Sequence, residues 1–512
     1  MAARKPKPEA APQPAGPPRI DLTIKVENYG PIRSGKVTLH PLTVLIGPNN
    51  SGKSYMARLV DALSAALADL TSYPDPPHGV RGSTPPDGTS EQQPARLGQL
   101  KLALRETIEA LPDDYVGPLD DGLIAAHCVA GMNTLYSEVL PQHLEASTGM
   151  RLSELVSGGV DAAVVGISGE AHSAEVRLGA GGAEVDLGSV RPADVALNRH
   201  ERSGFGVGHG PQGRMSLYLG QDWYGLADWH LASVDRGWLL GAMPRALRVA
   251  CRYLPAGRCG LMQGYRPIVS SVIAGTQWTG VRPSRAPRLL GAVARFLSVL
   301  FDPPEVGGAV SAAVARAEHS LTGGTIVVRR TAPLLAPDFR FRFDGTEIPL
   351  ESASSSVGEL APLFVYLREV ARPGDLLIIE EPEAHLHPEN QRLIARLFAK
   401  LVSEGLNIII TTHSDFLLEE LHNLVLAHGL DERDRKRALG EYHDCTLPPE
   451  DVGVFLFSKP TNKKGEFVGS RVRQLKVTAE EGIPSDEFTR VFEEMYNDSV
   501  RIRRWLPGGE EE

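Results

Sequence analysis

Leu42-Thr-Val-Leu-Ile46, running directly into Gly47-Pro-Asn-Asn-Ser-Gly-Lys53-Ser54, is the stretch from which the fold is read. The five-residue apolar, β-branched run reads as a buried strand. The loop after it has the spacing GxxxxGK[ST], in which glycines let successive backbone N–H groups wrap phosphate oxygens. Gly47, Asn49, Asn50, Ser51 and Gly52 supply the cradle. Lys53 neutralises the terminal phosphates, and the Ser54 hydroxyl reaches Mg2+. From Tyr55 to Leu70 apolar residues recur at helical spacing. Strand, loop and helix in that order predict a nucleotide-phosphate site rather than an ordinary glycine turn.

A second cluster lies more than three hundred residues further on. Leu376-Leu-Ile-Ile379 is an apolar run ending in Glu380-Glu381-Pro382. A strand ending in acids sets a carboxylate beside a phosphate loop, where it holds Mg2+ or activates the attacking water. Adjacent residues on a strand face opposite sides, so the two acids have distinct roles. A second buried run, Leu406-Asn-Ile-Ile-Ile410, ends in Thr411-Thr412-His413-Ser414, where the histidine can hydrogen-bond a γ-phosphate. Between them Pro388 to Val402 is amphipathic, with Leu393, Ile394, Leu397, Phe398 and Leu401 on one face. Strand, helix and strand at this length predict a βαβ crossover and hence parallel strands. Upstream, Ser354-Ser-Ser356-Val-Gly358-Glu359 opens the helix-like Leu360 to Val370, and small residues at a helix N-terminus suit an anion.

The 512 residues suffice for one large core or two to three domains. No run of about 18 apolar residues marks a membrane span. Met1 to Pro18, mostly Ala, Pro and Lys, lacks the apolar core of a signal peptide and reads as a disordered tail. Four scattered cysteines (Cys128, Cys251, Cys259, Cys445) without a CxxC exclude a disulfide framework and a structural zinc, and a reducing cytoplasm is the expected setting. Net charge is −10. From Arg236 to Phe301 there are ten arginines and no Asp, Glu or Lys, so that stretch carries +10 and the remainder −20. Trp238, Tyr253, Tyr265 and Trp278 are interleaved with it. The belt reads as a nucleic-acid surface, with Arg282, Arg285 and Arg288 as its candidate contacts, or equally as cations paired with the acidic remainder.

The same reading lays out the rest of the chain. Ile20 to Leu39 predicts two strands around the turn Asn28-Tyr-Gly-Pro31, and Thr71 to Pro94 a linker. Gly98 to Leu140 is expected to be mostly helical. Ala162 to Ile167, Ala174 to Leu178 and Ala183 to Leu187 are expected to form a small antiparallel sheet. A strand at Val249 to Leu254, helices around Ile268 and at Leu289 to Leu300, and strands at Thr325 to Arg330 and Phe339 to Phe343 follow. Asp431 to Arg437 reads as a solvated helix face. Val452 to Phe457 pairs with Val472 to Val477 as a hairpin, before a final helix from Ser485.

The order of these motifs resembles an ABC-type ATPase head, more narrowly the soluble ATPases related to RecF, the SMC proteins and the overcoming-lysogenization-defect nucleases. Ile24-Lys-Val-Glu-Asn-Tyr-Gly-Pro, the phosphate loop and Ile379-Glu-Glu-Pro-Glu-Ala-His-Leu-His-Pro carry the resemblance. It covers 20–75 and 325–425, and 245–275 more loosely. It implies an α/β fold: a mixed sheet flanked by helices, with an inserted helical and small-β subdomain and a short α+β C-terminal appendage. The expected division is a tail over 1–19, the head over 20–75 and 245–424, the insertion over 76–244 and the appendage over 425–512. Carried over by residue, Lys53 and Ser54 would bind phosphate and Mg2+, Glu380 would be the Walker B metal position and Glu381 the general base. His413 would be the switch histidine. Ser356 and Gly358 would be a signature motif that contacts the γ-phosphate bound by another subunit, which implies an ATP-dependent homodimer or higher oligomer. The chain departs from the pattern in having Glu for the more usual Walker B Asp and Ser-Ser-Val-Gly-Glu for the usual signature. No Q-loop glutamine is placed by the pattern; Gln263 and Arg258 are the candidates for that position. Nuclease members carry a TOPRIM domain needing an Asp-x-Asp pair; fewer than 90 residues follow Leu424 and none has that pattern, so no nuclease is read.

The expected function is an ATPase that dimerises on ATP and drives a DNA- or partner-handling step, in DNA repair or anti-phage defence with a separate effector protein. The alternative is a nucleotide-gated scaffold with little turnover. A transporter subunit fits poorly, because the two nucleotide motifs lie too far apart.

Overall fold

The computed structural model describes residues 20, 22–71, 106, 110, 116–118, 121–170, 172–190, 195–200, 205–209, 215–220, 239–264, 289–301, 312–330, 337–462, 465, 467–484 and 486–505. The expected tail over 1–18, the linker from 72 to 94, the helix around Ile268 and the residues Trp238, Tyr265 and Trp278 lie outside them.

The apolar run that precedes the phosphate loop forms strand β3 (Leu42–Ile46), every residue of which is buried. Such a strand must be covered on both faces, and it sits inside an eleven-stranded mixed sheet. On one side of β3 lie β16 (Asn407–Thr412), then β15 (Leu376–Glu380), then β11 (Cys251–Leu254) at the edge, all parallel. On the other side β17 (Val452–Ser458) is also parallel to β3 and turns back as β18 (Ser470–Leu475). β18 pairs with β2 (Ile32–Thr38), which pairs antiparallel with β1 (Thr23–Tyr29). The sheet continues antiparallel through β5 (Ala162–Ser168), β6 (His172–Gly179) and β7 (Gly182–Val190).

Strand alternation divides the core in two. Leu45, Leu376, Ile378, Ile409, Phe455 and Phe457 point to one face, where helix α1 (Lys53–Thr71) packs with α2 (Asp121–Thr134) and α3 (Leu140–Thr148). Val44, Ile46, Leu377, Ile379, Ile408, Ile410, Val454 and Leu456 point to the other. That face is covered by α4 (Gly291–Phe301), α5 (Ala312–Thr322), α6 (Ser355–Glu369), α7 (Pro388–Ser403) and α8 (Asp415–His428). α7 starts where the sequence says it should: His387 caps it, Pro388 occupies the first turn, and Ile394, Leu397, Phe398 and Leu401 form the buried stripe. It crosses from β15 to β16 as the expected βαβ unit. The solvated helix α9 (Glu432–Leu439) buries no residue, and α10 (Asp486–Arg504) closes the described chain.

Two expectations are corrected. The three short strands within 76–244 are not a separate small sheet, because β5 pairs with β1 and so extends the main one. The hairpin expected in a C-terminal appendage is central to the sheet, because β17 lies against β3 and β18 against β2. Each pairing satisfies an edge that would otherwise carry unpaired backbone groups. Val116–Pro118 is a strand, β4, inside a stretch read as helical; it pairs with β8 (Val195–His200) in a four-stranded sheet with β9 (Phe205–His209) and β10 (Met215–Gly220). The strands expected near 325 and 339 are β12 (Thr325–Arg329) and β13 (Asp338–Phe343), in a three-stranded sheet with β14 (Thr346–Pro349).

Candidate functional site

The parallel register brings three strand ends to one edge. Glu380 of β15 stands opposite Thr411 of β16, and Thr411 and Thr412 stand opposite Leu45 and Ile46 of β3. Everything that follows these residues therefore emerges together, at the carboxyl ends where open α/β sheets bind ligands. The phosphate loop, Glu381 and His413 share this edge.

The loop's glycines are needed for shape. Gly47 has φ 133° and a Cβ there would overlap the Phe457 carbonyl; Gly52 has φ 103° and a Cβ there would overlap Ile32. α1 begins at Lys53, so its unpaired N–H groups and positive dipole end face the loop. The Lys53 ammonium donates to the Gly47 and Pro48 carbonyls at 2.8 and 3.0 Å. Burial holds its pKa down to about 8, against the opposing pull of the Glu381 and Glu383 carboxylates. The lysine and the proposed base thus sense one another's charge.

Glu380 is 3% exposed at the end of β15. One carboxylate oxygen lies 3.7 Å from Arg58 and accepts weakly from the Ala256 N–H at 3.5 Å. The other is buried without a partner. A buried, half-satisfied carboxylate fits a water of a hydrated cation, as does the buried, unpartnered Ser51 hydroxyl nearby in sequence to Ser54. Among the described residues no cluster of three or more His, Cys, Asp or Glu side chains could enclose a metal. An Mg2+ that arrives on phosphates needs only one or two protein oxygens.

Glu381 takes the left-handed conformation, φ 46°, which costs a non-glycine residue about 1–3 kcal/mol. Its N–H donates to the Thr411 carbonyl at 2.9 Å, which holds the strained turn. The turn lifts its side chain off the strand line, so two adjacent acids part company: Glu380 is buried and Glu381 half-exposed. His413 is exposed, and its pKa is lowered by partial desolvation and by the Lys53 charge, both of which favour the neutral ring.

Sequence reasoning missed Glu383 and Lys459, and offered Arg258 only as a Q-loop candidate. Glu383 accepts from the Thr412 hydroxyl at 2.8 Å and the His413 N–H at 2.7 Å, with its other oxygen buried and unpartnered. Burial raises its pKa and Glu381 adds to the rise. It is the clasp between the β15 and β16 ends, and its signal was an acid two residues beyond Glu381. Arg258, earlier a Q-loop candidate, is 2% exposed. It donates to the carbonyls of Pro255 (2.9 Å), Glu380 (2.7 Å) and Glu381 (3.2 Å) and pairs with the buried Glu359 carboxylate at 2.9 Å. It ties α6 to the end of β15. The other candidate, Gln263, donates to the Cys259 sulfur at 3.5 Å. Lys459, just beyond β17, is close enough for its charge to press on Lys53.

The signature candidates separate. Ser354 caps α6, accepting from the Val357 N–H, and its hydroxyl lies 3.0 Å from that of Ser356. Ser356 is half-buried and Ser355 exposed at the helix start. Gly358 is buried within its own chain, and a Cβ there would lie 2.8 Å from the Cys259 sulfur. Of the arginine belt, Arg282, Arg285 and Arg288 lie outside the described residues. Arg258 pairs with Glu359, Arg295 with Asp61, and Arg248 donates to the Gly241 carbonyl at 2.7 Å. Arg258 and Arg295 support the reading of the belt as cations paired with the acidic remainder. A cavity of 410 Å3 between α5, α7 and residues 441–445 shares no residue with the phosphate edge.

Residues 336–419 match the family described as AAA domain, putative AbiEii toxin, Type IV TA system. The segment thus carries an AAA-type ATPase domain, and it contains Ser354 to Gly358, Glu380, Glu381 and His413. No curated protein matches the chain. Among solved structures the chain is similar to an SMC head bound to the C-winged helix domain of ScpA, with 13% identity over 90% of this chain and 98% of that one and a TM-score of 0.39. It is also similar to the Smc head with an extended coiled coil, bound to the C-terminal domain of ScpA derived from Pyrococcus furiosus (11% identity, 93% and 100% covered, TM-score 0.36), and to the SMC head from Thermotoga maritima (12%, 90% and 100%, TM-score 0.31). No helix among the described residues is long and apolar enough to cross a membrane.

Proposed function

We propose that the chain is an ABC-type ATPase that binds and hydrolyses ATP at the edge formed by β15, β16 and β3. The observation that carries this reading is the convergence of Lys53 after β3 with Glu380, Glu381 and His413 at the ends of β15 and β16, more than three hundred residues later in the chain. In this reading Gly47 to Gly52 cradle the phosphates and Lys53 exchanges its two loop carbonyls for phosphate oxygens. Ser54 and Glu380 are the residues that would hold Mg2+, which would supply charge neutralisation at the terminal phosphates. Glu381 orients the attacking water and takes its proton. The His413 ring donates a hydrogen bond to a γ-phosphate oxygen. Glu383 and Arg258 keep these groups in register.

The start of α6, where Ser354 and Ser355 are exposed and Ser356 half-buried, supports completion of the site by a second copy. ATP would then hold a homodimer or higher oligomer together and hydrolysis would release it. The process served, DNA repair or anti-phage defence with an effector protein, is part of the proposal, as are a cytoplasmic setting and DNA contact through Arg282, Arg285 and Arg288. Reversing those three to Glu should abolish salt-sensitive DNA binding.

ATP turnover tests the central claim. Lys53→Ala and Glu381→Gln should each lower it by about a hundredfold or more. Glu381→Gln should also accumulate an ATP-bound dimer in sedimentation. Unchanged turnover in both variants would remove the assignment. Slow wild-type turnover with ATP binding intact would favour the nucleotide-gated scaffold.

A further inference from the structure

The cation that the sequence did not offer lies on the C-terminal hairpin. β17 runs parallel to β3 with Leu456 opposite Ile46, so the two strands end together. Phe457 then flanks Gly47 so closely that its carbonyl occupies the place of a Cβ. Lys459 follows two residues later, alongside the first turn of the phosphate loop. Its side chain is exposed, and its ammonium lies 5.6 Å from the centroid of the Phe467 ring. An antiparallel backbone bridge pairs Thr461 with Phe467. Among the described residues no carboxylate pairs with Lys459.

Resting on the nucleotide reading above, we propose that Lys459 is a further phosphate-binding residue of that site, meeting the terminal phosphates from the side opposite β16. Two ammonium groups and a nest of N–H donors converging on one loop repel each other until a polyanion lies between them. Carboxylates Glu380, Glu381 and Glu383 crowd the β16 side, so the β17 side is where added positive charge favours a triphosphate most. The Phe467 ring, 5.6 Å from the ammonium, gives it a cation–π neighbour on the same segment. The number of charges on the ligand sets the effect, so ATP is favoured over ADP.

Calorimetric titration of the full chain with ATP, ADP and adenosine in magnesium buffer tests this. Lys459→Ala should weaken ATP binding about tenfold, the loss of one charge-assisted hydrogen bond, and should weaken ADP less. Lys459→Arg should recover most of the loss, and Lys459→Glu should deepen it. Thermal unfolding without nucleotide should be the same in all three, which separates a ligand contact from a structural one. A Lys459→Glu chain that binds ATP as tightly as wild type overturns the inference. If Lys53→Ala still loses ATP in that case, the nucleotide site itself stands. A wild-type chain that binds no ATP overturns both.

Discussion

The two halves of the large sheet are built by different rules. β15, β16 and β3 are parallel and buried along their whole length. β1, β5 and β6 are antiparallel and alternate, one side chain in and the next toward solvent. A parallel strand cannot be made by a hairpin, so each brings a crossover helix that covers a face, and its carboxyl end is left to the ligand edge. The antiparallel half spends its strand ends on turns. All the candidate chemistry lies in the first half, and the second gives that half a longer, partly solvated flank.

The comparison can be broken first at Arg258. It is the buried guanidinium that joins Glu359 to the ends of β15. Arg258→Ala should destabilise the chain by about 3–5 kcal/mol, because it strands a buried carboxylate, and denaturant unfolding would read the loss. A cost below 1 kcal/mol would mean that the parallel half does not depend on this bracket.

The antiparallel half carries a pH-sensitive contact instead. His172 opens β6, is 1% exposed, and meets the Tyr136 hydroxyl at 2.7 Å. Burial lowers its pKa from 6.5 to about 4. The folded state therefore takes up this proton later than the unfolded chain. The contribution is fully present above pH 6.5 and is lost as pH falls toward 4. Stability should drop by about 2 kcal/mol between pH 7 and 5 from this group alone, and His172→Gln should flatten that part of the profile. A wild-type profile level through this range would remove His172 as its cause.

The smallest effect belongs to the exposed pair on the same strand. Arg177 and Glu175 lie 3.3 Å apart, with side chains 62% and 46% exposed. Arg177→Ala should change the unfolding midpoint by no more than about 1 kcal/mol. A larger loss would mean that the flank is held by its ion pairs rather than by its buried face.

Much of the site was legible because its parts are local. A glycine-framed loop between an apolar run and a helix needs no distant residue to be recognised, and Glu380, Glu381 and His413 each sit at the end of a continuous apolar strand. Glu383, Arg258 and Lys459 were not legible as site residues. Glu383 acts through the backbone of His413, thirty residues away. Arg258 lies in an arginine-rich stretch whose members look alike in sequence but differ in burial. Gly358 was read as an anion contact, yet in this chain its missing side chain admits Cys259.

By itself the sequence determined the individual strands and helices around the nucleotide motifs, since hydrophobic period, caps and glycine positions act within a few residues. It also determined the β15–α7–β16 crossover, because that connection is short and has one favoured hand. Only the tertiary structure decided that the C-terminal hairpin enters the sheet between β3 and β2, and that β5 to β7 extend it beyond β1. Pairing between distant strands is chosen by which edges remain open and which faces need cover, and no local pattern records that choice. It is the same choice that sets Lys459 beside a loop four hundred residues earlier in the chain.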